Sequence, residues 1–362
     1  MTRTHRLLGL VTALALMGGA ATAQDFRVAP AGPPPHPAYY MYEKFAGFLK
    51  EESGGSMSAT ILGPEVVSLP QIKDAIQSEL INMGNALPLY FAADFPRTGV
   101  AGDLALMGRS PHAMAFAMTE FAVFCAECQA EFKKFGGVFL GAGASDVYAL
   151  LTTKPVRTAD DLKGLRLRSG GAPFSRWAES FGATPVNLPV GETFEAMSQG
   201  SIDGTMASIV DMLSFRLVDV AKHVTVVPLG TYHVTSNFTV ASATWKGLSV
   251  ADRTKLVAAA NRGNPQLTDR WAFQLPAAAR KAVGDKGIEV ITPDAALLAA
   301  SEAFAVADST ARVAADPLAA EFAALVEKWT AIVAELGDDP EKLAARAKDE
   351  IWSRVDLASY GL

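Results

Sequence analysis

Cysteine is nearly absent: Cys125 and Cys128 are the two in 362 residues, and no second pair stands at zinc-type spacing. Histidine is sparse as well. His5, His36, His112, His223 and His233 lie scattered without the short spacing of a metal site. The chain has no H-E-x-x-H, no G-x-S-x-G and no Walker-type loop, so the common zinc-protease, serine-hydrolase and P-loop chemistries have no local motif here. The acidic pairs Glu51-Glu52 and Asp160-Asp161 read as solvated helix ends. Lys and Arg never form a run, and the formal net charge is −6, so the basic face of a nucleic-acid binder is missing. A bound anion must therefore be drawn by a local cation rather than by the overall field. No cofactor, no metal and no nucleic acid are expected.

Long apolar runs are also missing. Leu7 to Met17 is too short to span a bilayer, and no later segment is a convincing membrane span. Arg3, His5 and Arg6 precede this run and Ala21-Thr22-Ala23 follows it. That is the pattern of a cleavable export leader over 1–23, with the mature chain starting near Gln24 and no cysteine there to carry a lipid. Exported chains meet an oxidising compartment, where Cys125 and Cys128 fit a disulfide. Free thiols or thiol redox chemistry are the other readings. A redox role needs the pair at a helix start, and the apolar pattern instead predicts one helix over about 111–135.

What remains is ample core: half of the residues are hydrophobic and 19% are charged. The pattern predicts an α/β protein of two lobes. One β-α-β-α-β unit starts at residue 26, and a second follows residue 163 with strands 165–168, 184–188 and 204–208. Lobe I is expected over 24–147 plus about 234–272, and lobe II with a bracing helix over 148–233 plus about 273–336. A helical tail follows over 337–362. Segments near Val147–Leu151 and after His223 cross between the lobes and would permit hinge closure over a ligand. Asp316-Pro317 opens a helix whose stripe runs from Phe322 through Trp329 to Leu336, and Gly337 ends it.

The most informative stretch runs from Asp161 to Thr225 and contains LRLRSGGAP. Arg168 stands where a strand gives way to a Gly-rich turn and a helix, the place where open α/β sheets present ligand-binding groups. A guanidinium offers a planar fork of donors that matches a carboxylate. Gly170, in the turn, lets backbone approach a ligand. Ser208, at the end of the strand TMASI, could donate to a ligand oxygen. Tyr148 and Trp177 could wall a pocket, and His233 and Asn237 fall near the second crossing. For these four, core packing or structural hydrogen bonding is the competing reading.

The same stretch resembles the solute-binding proteins of TRAP transporters (tripartite ATP-independent periplasmic importers), in the dicarboxylate-receptor branch. DLKGLRLR (161–168), FGATPV (181–186), GETFEAMSQGSIDG (191–204) and LVDVAKHVT (217–225) carry the resemblance. It implies a periplasmic binding protein-like fold with an interlobe ligand cleft and long bracing C-terminal helices. It also implies a non-enzymatic periplasmic receptor that captures an organic acid and delivers it to the small and large membrane subunits of an ion-gradient-driven permease, without itself entering the membrane. Arg168 is the matching position for the arginine that clamps the ligand carboxylate. The alternatives are a periplasmic enzyme on the same fold, redox-active through Cys125/Cys128, and a ligand-sensing partner of a signalling receptor. The chain lacks the Glu-Asn pair many relatives carry after Asp203-Gly204, and Tyr148 lies where some hold a second arginine. Together with the stiff turn APAGPPPHP, these departures predict a small or partly apolar monocarboxylate.

Overall fold

Phe26 and Val28 are fully buried on one face of the first strand, β1 (Gln24–Ala29), and set the register of a sheet around them. The computed structural model describes residues 24–362, so the leader expected over 1–23 lies outside the described residues. β1 pairs in parallel with β2 (Met57–Ile61) and β3 (Met83–Ala86). β4 (Gly137–Phe139) joins through an antiparallel central strand, β10 (Ser236–Ala241), giving the order β2-β1-β3-β10-β4.

A second sheet holds β5 (Ala149–Thr152), β6 (Arg166–Ser169), β7 (Thr184–Asn187), β8 (Gly204–Ala207), β9 (His223–Thr225) and β11 (Glu289–Ile291). Its order is β11-β9-β5-β8-β6-β7, with β5 antiparallel to both of its neighbours. Each sheet thus receives one reversed strand, β10 in the first and β5 in the second, and each follows directly in sequence on a strand of the other sheet. The two arrivals pair with each other on the way. Val147 and Thr231 form an antiparallel bridge, the Ser145 amide donates to the Tyr232 carbonyl at 2.9 Å, and the Tyr148 amide donates to Gly230 at 2.8 Å.

The helix Ala295–Ala315 spans the two halves. Its N-terminal part buries Leu297 and Ala305 against the second-sheet core. Ser301 accepts from Trp177 Nε1 at 2.9 Å, and Asp308 takes Arg176 at 2.8 Å. Arg176 also reaches Asp103 of the first half at 2.8 Å, so one guanidinium ties the halves together. The next helix, Pro317–Leu336, starts with Asp316 capping the Leu318 amide at 2.9 Å and stops at Gly337, whose φ is 74°. The sequence grouped 317–336 with lobe II. Its stripe of Phe322, Val326, Trp329 and Val333 packs instead into the first-sheet core, against the helix Pro111–Phe124.

The single helix expected over 111–135 is two helices. Cys125 takes the extended angles φ −74° and ψ 106°, ends the first helix, and caps the second, Ala126–Phe135. Its Sγ accepts from the Cys128 amide at 3.0 Å, and the two cysteines are joined in a disulfide. The pair therefore stands at a helix start after all. Both sulfur-bearing residues are nonetheless buried in the first core.

Glu120, 5% exposed, anchors the C-terminal helices to this core. Trp329 Nε1 donates to it at 2.7 Å, Lys328 at 2.9 Å and Arg354 at 3.3 Å. Lys328 and Arg354 are exposed enough to recover hydration if the carboxylate is lost, but the buried indole N–H is not. Glu120→Ala is therefore expected to cost about 1–3 kcal/mol, the penalty of one stranded buried donor. Urea unfolding measures this, and ligand affinity should stay unchanged.

Candidate functional site

Alternation along β6 sends Leu167 into the core and places Arg166 and Arg168 on the opposite face. The two arginines then differ in environment. Arg166 is half-exposed and closes on Asp203 at 3.0 Å, a pairing that holds the Asp203 carboxyl well below the usual range against the desolvation there. Arg168, two residues on, is 2% exposed. Its Nε donates to the Leu188 carbonyl at 3.0 Å and its Nη2 to the Tyr90 hydroxyl. Among the described residues no carboxylate lies within 4.0 Å of it, and its Nη1 has no protein acceptor. Gly170 is packed against this guanidinium: a Cβ there would stand 3.4 Å from Nη1 and 3.6 Å from the Tyr232 ring.

Arg168 lines a cleft between the two sheets, with an empty volume of about 550 Å³, mouth included. The first half contributes the turn Pro30–Gly32, His36, Leu69, Asn85, Leu87, Tyr90, Thr235 and Leu267, and Trp271 stands beside them. The second half contributes Tyr148, Arg168, Val190, Asp211 and Phe215, with Tyr232 from the crossing. A larger surface groove of about 910 Å³ runs between the helices Val250–Thr268 and Pro340–Glu350. Its arginine, Arg262, is already held by Glu51 and Glu52.

Four polar atoms in the cleft lining are buried and lack a partner among the described residues: Asn85 Oδ1, Asp211 Oδ1, the Tyr232 hydroxyl and Trp271 Nε1. Buried polar atoms are nearly always paired, so a cluster of exceptions in one cleft marks where a ligand or ordered water makes its contacts. Ring stacking fixes two of the tyrosines. Phe174 lies 5.2 Å from Tyr148, and Tyr148 lies 6.3 Å from Tyr232, both pairs near parallel.

Of the residues expected from sequence, Arg168 and Tyr148 line the cleft, while Gly170 lies behind the guanidinium. Ser208 turns back to accept from the Val210 amide at 3.0 Å. The polar group that enters the cleft from this segment is Asp211, three residues later, on the first turn of the short helix Asp211–Ser214. Trp177 is fully buried and bonded to Ser301, on the bracing helix rather than the cleft wall. His233 stacks on Phe322 at 5.2 Å, with Nδ1 and Nε2 each 3.1 Å from a carbonyl, of Thr231 and Ala101, one of which accepts the neutral ring's single N–H, a structural role. Asn237 lies one layer back and accepts at 2.9 Å from Thr235, which does line the cleft. Tyr90, Asp211, Tyr232 and Trp271 were not anticipated. Tyr90 comes from the one-turn segment Pro88–Phe91, and Trp271 from a π-helical turn, Asp269–Gln274. Helical periodicity does not register a π turn, although such turns often mark functional positions.

Burial pushes the Asp211 carboxyl up to about 8, with Asp146 adding to the shift and Arg168 opposing it. Burial likewise raises Asp146 to about 7. Below these values the folded protein holds protons that the unfolded chain releases near pH 3.8, so stability from these groups falls as pH rises toward 8. His36, His112 and His233 are pushed down to about 4 by burial and oppose this trend, but only between about 4 and 6.5. The window from pH 6.5 to 8 therefore isolates the two aspartates. In ligand-free protein the unfolding free energy should fall across it, by up to roughly 1.4 kcal/mol per pH unit for each carboxyl titrating. In Asp211→Asn much of that slope should vanish. Urea unfolding at several pH values gives the comparison.

Residues 28–308 match the family described as bacterial extracellular solute-binding protein, family 7 (DctP). A solute-binding protein of Albidiferax ferrireducens is 38% identical over 79 residues, which is 22% of this chain and 23% of that protein. Two solved structures match at larger scale. A TRAP periplasmic solute-binding protein from Bordetella bronchiseptica, bound to (R)- and (S)-mandelate, aligns with a TM-score of 0.72 at 23% identity, covering 84% of this chain and 99% of its own. A TRAP solute-binding protein from Rhodoferax ferrireducens, with copurified benzoate, aligns with a TM-score of 0.74 at 20% identity, covering 85% and 99%. At these identities the likeness is one of fold.

Proposed function

Because the chain belongs to family 7 of the bacterial extracellular solute-binding proteins, we propose that its cleft captures a small organic acid through Arg168 for delivery to a TRAP permease. The family consists of transport receptors rather than enzymes. The disulfide pair Cys125–Cys128 lies in the first core, outside the cleft lining. The observation that carries the reading is a buried guanidinium with no carboxylate within 4.0 Å among the described residues and one nitrogen free of any protein acceptor. A buried charge without a counter-ion is costly. A ligand carboxylate supplies the missing partner and can meet the planar fork of donors. No helix among the described residues is long and apolar enough to cross a membrane, and the family is extracellular, so periplasmic capture followed by hand-over to separate membrane subunits is the corresponding route.

The walls narrow the choice of acid. Arg168 is the one Lys or Arg in the lining, and Leu69, Leu87, Val190, Phe215, Leu267 and Trp271 surround it with apolar surface. One cation serves one carboxylate, and a second would be buried without compensation. A monocarboxylate with a compact apolar or aromatic body fits this lining, in line with the mandelate and benzoate held by the two structural neighbours.

Arg168→Ala is expected to weaken carboxylate binding by roughly 3–5 kcal/mol, on the order of 10²–10³-fold or more, while the protein still folds. Calorimetry with the best acid from a thermal-shift panel measures this. Unchanged affinity, or a panel in which diacids bind and monoacids do not, would count against the reading.

A further inference from the structure

Arg168 and Asp211 are both anchored in the second half of the molecule, one on β6 and the other just after β8, and both line the cleft. Each is 2% exposed, yet they make no ion pair, since no carboxylate lies within 4.0 Å of Arg168 among the described residues. Asp211 Oδ1 is buried without a donor. The cleft lining thus holds a cation and an acceptor more than 4.0 Å apart, each lacking its complement among the described residues. Arg168 calls for a carboxylate. A carboxyl oxygen with no donor calls for an N–H or O–H. A bare carboxylic acid would satisfy the first and leave Asp211 Oδ1 without a donor.

We propose that Asp211 reads a hydrogen-bond donor carried next to the ligand's carboxylate, so that the solute is an α-hydroxy or α-N–H acid rather than a plain carboxylic acid. This rests on the carboxylate reading of the cleft. The remaining unpartnered atoms agree with a second polar point on the ligand. The Tyr232 hydroxyl and Trp271 Nε1 can donate to carboxylate or ring oxygens, and Asn85 Oδ1 offers a further acceptor from the opposite half. Sites built around a buried acceptor discriminate strongly, because an analogue lacking the donor leaves that acceptor desolvated and unpaired.

Matched pairs of acids test the proposal by calorimetry at pH 7: mandelate against phenylacetate, and pyroglutamate against cyclopentanecarboxylate. The wild-type protein should bind the donor-bearing member of at least one pair about tenfold or more tighter. The pair that shows the preference identifies the hydroxyl or the N–H class. In Asp211→Ala and in Asp211→Leu, which keeps the side-chain volume, the preference should fall to within about threefold, and the plain acid should bind as well as before or better. Thermal transitions confirm that each variant folds, and the leucine variant answers if the alanine variant does not. Equal binding within both pairs, or a preference that survives in the variants, overturns the role of Asp211 while leaving Arg168 as the carboxylate clamp. Failure of all four acids to bind overturns the carboxylate reading itself.

Discussion

A guanidinium shut away from water with two neutral acceptors and no counter-ion is the constraint around which this molecule is arranged. Arg168 is kept in place by the Leu188 carbonyl on its own half and the Tyr90 hydroxyl on the other. Neither neutralises it. An anion would complete the set: Gly170 packs against the guanidinium without adding a side chain, stacked tyrosines stand beside it, and apolar residues line the wall. At so buried a position a charge pairing is worth more than at the surface, where Arg166 and Asp203 form an ordinary structural bridge.

Most of the apolar core is divided between the two sheets, although Ala105 and Leu106 of the first half join the second-sheet cluster. The connections between the halves are of different kinds. The paired segments around Val147 and Thr231 join the halves by main-chain hydrogen bonds, while the helix Ala295–Ala315 joins them by Trp177–Ser301 and the Arg176 ion pairs. Arg168 and Asp211 both belong to one half, and Tyr90 meets Arg168 from the other.

Sequence reasoning reached the fold and the placing of Arg168 at a cleft because both are encoded in regular elements. Strand 165–168 and the helix from Asp316-Pro317 to Gly337 fall within a residue of their observed limits, since alternation, a capping aspartate and a terminal glycine leave little freedom. The rest of the cleft comes from places where periodicity is silent. Tyr90 sits on a single turn, Asp211 on a four-residue helix, and Trp271 on a π turn after Pro265. Trp177 and His233 went the other way. They looked available, but their polar atoms are satisfied by Ser301 and Ala101, partners more than a hundred residues distant in sequence that no local pattern reveals. The break at Cys125 has a local origin instead: helix propensity continues through it, and a cap made by its own sulfur interrupts it.

The hydrogen bond from Arg168 to Tyr90 joins the two jaws directly across the cleft. A solute that took both ends of the guanidinium fork would have to displace that phenol. Grip on the cargo and grip between the jaws therefore draw on the same donor.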